Sequence, residues 1–342
     1  MPELLEVGGQ AVIEGVMMRS PRSFAVVCRR PSGEIVIKED AWQPIWRSLR
    51  FLRWPLLRGG IVLLESVMNG MSALSFAADQ QGVEPSTPAP QSLGAAAAPD
   101  GAGKMSAAAK FGMIALSIGF GLALFVGAPH LLSWALGSVM GFDATSVWFH
   151  AVDGVIKMAI LVGYLAAISL LPDVRRVFQY HGAEHKAIFT YEQRLPLTVV
   201  NARRQTRFHP RCGTSFLLIV VMVSVVLFAA VLRGRLAETS VLDHVFKILL
   251  KIPLMLPIAG LAYELIKLSG KHMNRSRVAR ALAAPGMWLQ KITTREPDEG
   301  QLEIALISIR KTLWRERQAE GTSPHGVHVY ASAADITDLP LA

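Results

Sequence analysis

Four long apolar blocks dominate the hydrophobic pattern of the chain, at residues 113–136, 147–171, 214–232 and 248–266. Only small polar residues and His130 interrupt the first, and the second carries His150, Asp153 and Lys157 near its start. The third has no charge, and the fourth holds Lys251 and Glu264 near opposite ends with Pro253 and Pro257 between them. A helix needs about 20 apolar residues to cross a bilayer. Proline is tolerated inside one when neighbouring groups satisfy the freed carbonyl. The pattern predicts a membrane all-α bundle of about four transmembrane helices. His130 is expected to pair with Asp153 as a packed polar contact, because the blocks show no run of ionisable residues of the kind a proton relay needs.

Shorter patterns flank the blocks. Residues 23–29 and 34–38 read as two short strands, with Arg30-Pro31-Ser32-Gly33 as the turn between them. Residues 8–19 are Gly-punctuated and apolar, and fit either another strand or a backbone-close loop. Residues 60–78 form a helical run with a thin polar stripe of Glu65, Ser66, Asn69 and Ser72, read as an interfacial or re-entrant helix. The predicted organisation is an N-terminal cytoplasmic or interfacial unit with a β-hairpin over 1–80 and a disordered linker over 81–110. A four-helix membrane domain follows over 111–270, with a cytoplasmic insert at 172–213 in which 180–191 is helical. A helical C-terminal cytoplasmic unit occupies 271–320, and 321–342 is a disordered tail.

Composition agrees with a membrane protein: 51% of the 342 residues are hydrophobic, and the mean hydropathy is +0.36. Residues 137–146 contain no Lys or Arg, whereas 172–213 contain eight, from Arg175 to Arg211. The positive-inside rule therefore places the insert and both termini in the cytoplasm and the protein in the cell inner membrane. Much of the net charge of +9 then reflects topology and anionic lipid, so no nucleic-acid partner is expected. Trp42, Trp46 and Trp54 among Arg47, Arg50, Arg53 and Arg58 fit a membrane interface better than an RNA-binding surface. The first residues lack the basic start of a signal peptide. The two cysteines, Cys28 and Cys212, both fall on the reducing side, where a disulfide is not expected.

Chemistry concentrates in Tyr180-His181-Gly182-Ala183-Glu184-His185-Lys186. On a helix, His181 and His185 stand one turn apart on one face with Glu184 beside them. The order H-x-x-E-H is the inverted zincin signature, in which two imidazoles bind Zn²⁺ and a carboxylate serves as general base. Downstream, His209 and Cys212 add a nitrogen and a sulfur donor directly before an apolar block. If four side chains bind, the shell is closed and the site structural; if three bind, hydrolysis becomes possible. In peptidases with the inverted motif the third ligand is a glutamate many tens of residues downstream, and Glu264 is the counterpart here. Cys212 as a nucleophile, with His209 or His185 as base, lacks an oxyanion-hole signal. Glu14 and Glu65, in apolar stretches, are expected to bond backbone amides or pair with an N-terminal arginine.

Residues 8–19, 180–186, 209–216 and 285–297 together resemble the signatures of the YqhQ-like family of bacterial membrane proteins. The resemblance covers most of the chain outside the linker and tail. It implies a domain of unknown function, described as a predicted metal-dependent enzyme, and it brings no established activity. Two functions remain open. One is a divalent-metal site, Zn²⁺ by its donors, built from His181, His185 and His209 or Cys212, with Glu184 as catalytic base of a hydrolase acting at the membrane interface. The other is a non-enzymatic membrane factor that binds a protein partner at the cytoplasmic face, with the His/Cys cluster structural. Oligomeric state is not legible.

Overall fold

The computed structural model describes residues 4–42, 55–82, 107–232, 234–237, 239–272, 276–318 and 326–336. Most of the expected linker, together with Trp46, Trp54 and Arg47, Arg50 and Arg53, lies outside these residues. Five antiparallel strands form one meander in sequence order: β1 (Gly8–Val12), β2 (Gly15–Arg19), β3 (Ser23–Arg29), β4 (Ile35–Ala41) and β5 (Gly326–Tyr330). Residues 8–19, left open by the sequence, are a tight hairpin in which Gly8 faces Arg19 and Val12 faces Gly15. Its turn puts Glu14 at φ 49°. The fifth strand corrects the expectation of a disordered tail. Gly-Val-His-Val-Tyr is rich in β-branched and aromatic residues, and it pairs with β4 in register from Ile35 opposite Tyr330 to Glu39 opposite Gly326.

The helices are α1 (Pro55–Gln81), α2 (Ala107–Leu122), α3 (Ala128–Met140), α4 (Val147–Ile168), α5 (Pro172–Glu192), α6 (Val199–Arg203), α7 (Gly213–Val231), α8 (Ser240–His272), α9 (Arg277–Thr293) and α10 (Glu299–Arg317). A π-helical turn, Ala123–Gly127, joins α2 to α3. Among the described residues, five stretches are long and apolar enough to cross a membrane: Gly59–Gln81, Ala115–Met140, Val147–Ile168, Gly213–Val231 and Val241–Leu268. Four are the blocks read from sequence, and the fifth contains the run at 60–78. The chain divides into two compact units, one of Met1–Pro85, Tyr164–Val220 and Leu256–Ala342, the other of Ser86–Gly163 and Val221–Met255.

In the first unit, strand alternation sorts side chains onto two faces of the sheet. Val16, Met18, Val27, Ile35 and Ile37 pack with Tyr180, Ala183 and Ala187 of α5 and with Leu302, Ile304 to Ile307 and Ile309 of α10. Met17, Phe24, Val26, Cys28 and Val36 face the other way, against Ala73 and Ala77 of α1. Burial pushes the Cys28 thiol up to about 12, which marks it as a core residue. The N-terminal strands and the helix of residues 271–320, expected as separate units, thus share one core. An Asp298–Gln301 capping box starts α10. Its polar side chains are spent on the sheet: Ser308 Oγ donates to the Val16 carbonyl (3.1 Å) and Thr312 Oγ1 to that of Met18 (3.2 Å).

In the second unit a polar network lies among apolar helices. Lys251 Nζ contacts Asp153 Oδ1 at 3.0 Å and His130 Nδ1 at 3.2 Å. Lys157 Nζ reaches Asp153 Oδ2 at 3.2 Å, and His130 Nε2 lies 2.9 Å from His244 Nδ1. Lys247 pairs with Asp243 at 2.9 Å and donates to the Ala144 carbonyl at 3.1 Å. The expected His130–Asp153 pair is thus bridged by Lys251. Because α8 begins at Ser240, ahead of the block at 248, Asp243, His244, Lys247 and Lys251 recur at helical spacing along one stripe.

Candidate metal centre

α5 carries the H-x-x-E-H motif. It enters from an extended Leu171 with Pro172 in its first turn, where a missing N–H costs nothing. Tyr180, Ala183 and Ala187 turn toward the sheet core. The segment 293–297 runs against the helix: Arg295 N donates to the Phe178 carbonyl at 2.8 Å, and Lys186 pairs with Glu296. Gly182 permits this approach, since a Cβ there would strike the Arg295 carbonyl.

His181, His185 and Cys212 come together, with one ligand atom of each within 4.8 Å of the others. Each imidazole is anchored from behind. His181 Nδ1 lies 2.8 Å from the Thr293 carbonyl, and His185 Nδ1 lies 2.6 Å from the Arg207 carbonyl. A carbonyl can only accept, so each Nδ1 carries the proton and each Nε2 keeps its lone pair. His181 Nε2 lies 3.1 Å from Cys212 Sγ. Burial, reinforced by His181, lowers the pKa of His185 against the opposing pull of Cys212, which favours the neutral, ligating ring. The Cys212 sulfur also accepts from Thr214 N at 3.4 Å.

The other expected residues are placed differently. His209 is buried beside His185, with ring centroids 5.6 Å apart. Its Nε2 lies 3.4 Å from Glu192 Oε2, and its Nδ1 accepts from Arg211 N at 3.3 Å, so both ring nitrogens are engaged outside the trio. Burial works against a charge on Glu192, but His209 and Arg211 prevail and hold its carboxyl below the usual range. Gln290 of α9 fixes the His209 peptide through two 2.8 Å hydrogen bonds, one to its N–H and one from its own amide to the carbonyl. Glu184 is fully buried, and burial pushes its carboxyl up to about 7, against His181 and a hydrogen bond from the Gly9 amide. Glu264 lies in α8 and does not join the trio; among the described residues only His181, His185 and Cys212 form such a group. Glu14 pairs with Arg176 of α5 in place of an N-terminal arginine, and Tyr180 Oη donates to it at 3.3 Å.

Two nitrogens and one sulfur, with the nitrogen lone pairs turned inward and their opposite faces hydrogen-bonded, match the donors and the outer-shell support of a zinc site. Thr293, Arg207 and Gln290 were not found by sequence reasoning. Thr293 and Arg207 act through their backbones, which side-chain identity does not encode. Gln290 and Thr293 do lie inside the signature at 285–297.

Five helices able to cross a membrane, joined to an antiparallel sheet and a buried His/Cys cluster, define a multi-pass membrane protein. The model of the family described as protein of unknown function (DUF1385) matches residues 54–315, and the chain belongs to that family. It is 32% identical over 313 residues to the uncharacterized protein YqhQ of Bacillus subtilis (strain 168), covering 92% of this chain and 94% of that one. No solved structure matches it.

Proposed function

We propose that the protein is a four-crossing inner-membrane protein with a divalent-metal site, Zn²⁺ by its donors, on the cytoplasmic side of the bilayer. The metal reading rests on one observation above all: both histidines of the trio spend Nδ1 on a backbone carbonyl and turn Nε2 toward Cys212. A divalent ion bound there would supply Lewis acidity toward a carbonyl or phosphoryl oxygen. Glu184, whose carboxyl titrates near neutrality, is suited to hold and return a proton. Three ligands leave a position for substrate, which favours a hydrolase whose amphipathic substrate arrives from the membrane interface.

Strand pairing supports the four crossings. β4 precedes the first candidate span and β5 follows the last, yet the two are hydrogen-bonded neighbours, so crossings between them must be even in number. α5 packs on the same sheet, so crossings before it are even too. One of Gly59–Gln81, Ala115–Met140 and Val147–Ile168 therefore stays on one side. The burial of Ala73 and Ala77 against the strands favours Gly59–Gln81 for that role. The eight Lys and Arg of 172–213 favour the cytoplasmic side for the sheet.

The competing reading, a structural metal in a partner-binding factor, draws on the same cluster, which ties α5 to the turn before α7 and to the end of α9. Elemental analysis of the purified full-length protein tests the site. About one zinc per chain is expected, lost in His181→Ala and Cys212→Ser and retained in His209→Ala; wild-type protein free of metal and unaffected by chelator would overturn it. Glu184→Gln separates the roles. Metal retained while the variant fails to replace the wild-type copy in cells supports the hydrolase, and full replacement supports the structural reading.

A further inference from the structure

The second unit carries an ionisable cluster that the metal site does not use. Its members lie inside candidate spans: His130 in Ala115–Met140, Asp153 and Lys157 in Val147–Ile168, and Asp243, His244, Lys247 and Lys251 in Val241–Leu268. All are buried except His244, which is partly exposed. At 1.5 Å per residue, Asp153 and Lys251 sit roughly 9 to 15 Å along their helices from the span ends. Charge at such depth is expensive and marks function.

Charge balance singles out one group. Lys247 pairs with Asp243 and Lys157 with Asp153, which makes two neutral pairs. Lys251 is the third cation, sharing Asp153 with Lys157. The aromatic face of Phe228, 5.2 Å from Lys157 Nζ and 5.3 Å from Lys251 Nζ, adds no formal charge. Among the described residues two further neighbours bear on the cluster: Asp143, exposed at the surface, acts on Lys247 from outside, and His150 is buried with neither ring nitrogen hydrogen-bonded. Fully ionised, the three buried lysines and two buried aspartates leave one positive charge uncompensated among apolar helices. Releasing one proton removes it.

A route for that proton is built in. Lys251 Nζ meets His130 Nδ1, and His130 Nε2 meets Nδ1 of the partly exposed His244. We propose that Lys251 is a membrane-embedded proton-binding site, loaded and unloaded through His130 and His244. A proton reaching His244 Nε2 displaces its Nδ1 proton to His130 Nε2. His130 then passes its own Nδ1 proton to the Lys251 amine. Lys251 ends as ammonium beside Asp153, and both imidazoles end neutral with their tautomers exchanged. The ligand is the proton itself, and no other bond is made or broken. Asp153 is a positioning residue, which stabilises the loaded state through its 3.0 Å contact.

The test uses full-length protein with ¹⁵N-labelled lysine side chains in micelles. The Lys251 signal, assigned by its loss in Lys251→Arg, is expected to change between ammonium and amine within about pH 6 to 9. Lys251→Arg keeps the cation, so it controls for folding. His130→Phe and His244→Phe should each slow proton exchange at Lys251 by at least about tenfold while leaving the fold intact. Lys251 remaining ammonium throughout that range would overturn the proposal. So would unchanged exchange in both histidine variants.

Discussion

Gly9 couples the sheet to the candidate site. A Cβ there would lie 2.8 Å from Glu184 Cγ and Oε1 and 2.8 Å from Met18 Sδ, closer than packed atoms tolerate. Gly9→Ala is expected to expel the Glu184 carboxylate and cost about 1–3 kcal/mol in chemical denaturation. Metal content should stay at the wild-type level, because His181 and His185 are anchored on Thr293 and Arg207. Loss of metal together with stability would mean that Glu184 supports the ligands directly. At this scale the sequence disclosed part of the site. The four-residue spacing of His181 and His185 was enough to put them on one helical face. The choice of Cys212 over His209 depended on Gln290 and Glu192, which come from other elements and hold His209 elsewhere.

Elements were legible from residue type and turn chemistry even where burial was complete. β3 is buried from Ser23 to Cys28 and shows no polar alternation, so its strand character came from its β-branched residues and the turn that follows it. α10 has apolar residues around its whole circumference because the sheet covers one side and α5 another, so its amphipathic signal is weak. Leu302→Ala, at a fully buried α10 position contacting this core, should cost about 2–4 kcal/mol by denaturant titration. A cost below about 1 kcal/mol would mean that α10 is peripheral to stability. The start of α8 was missed for a different reason: Asp243, His244 and Lys247 lower the hydropathy of its first turns, yet Asp243 pairs with Lys247 along the helix and His244 meets His130.

At the scale of the molecule, an even number of crossings predicts, whatever the chemistry of the site, on which side of the membrane each loop lies. Asp143 lies exposed in the turn before α4, and Ser332 lies exposed just after β5. In intact cells, Asp143→Cys should react with a membrane-impermeant maleimide, whereas Ser332→Cys should react only after permeabilisation. Native Cys28 and Cys212 are buried and contribute little background. Equal labelling of both positions from outside would refute the four-crossing topology. The number of apolar blocks was plain in the sequence. The support for an even number of crossings came from pairing between strands far apart in the chain, which hydropathy does not encode.

That pairing also has a timetable. About 285 residues separate Ala41 at the end of β4 from Gly326 at the start of β5. At translation speeds of roughly 5–20 residues per second, β4 must wait about 15 to 60 s for its neighbour. During that interval its outer row of amides and carbonyls is an open template for foreign strands. Biogenesis of this protein is therefore a race between helix insertion and strand capture, and a cell short of insertion capacity should show misassembly first at β4.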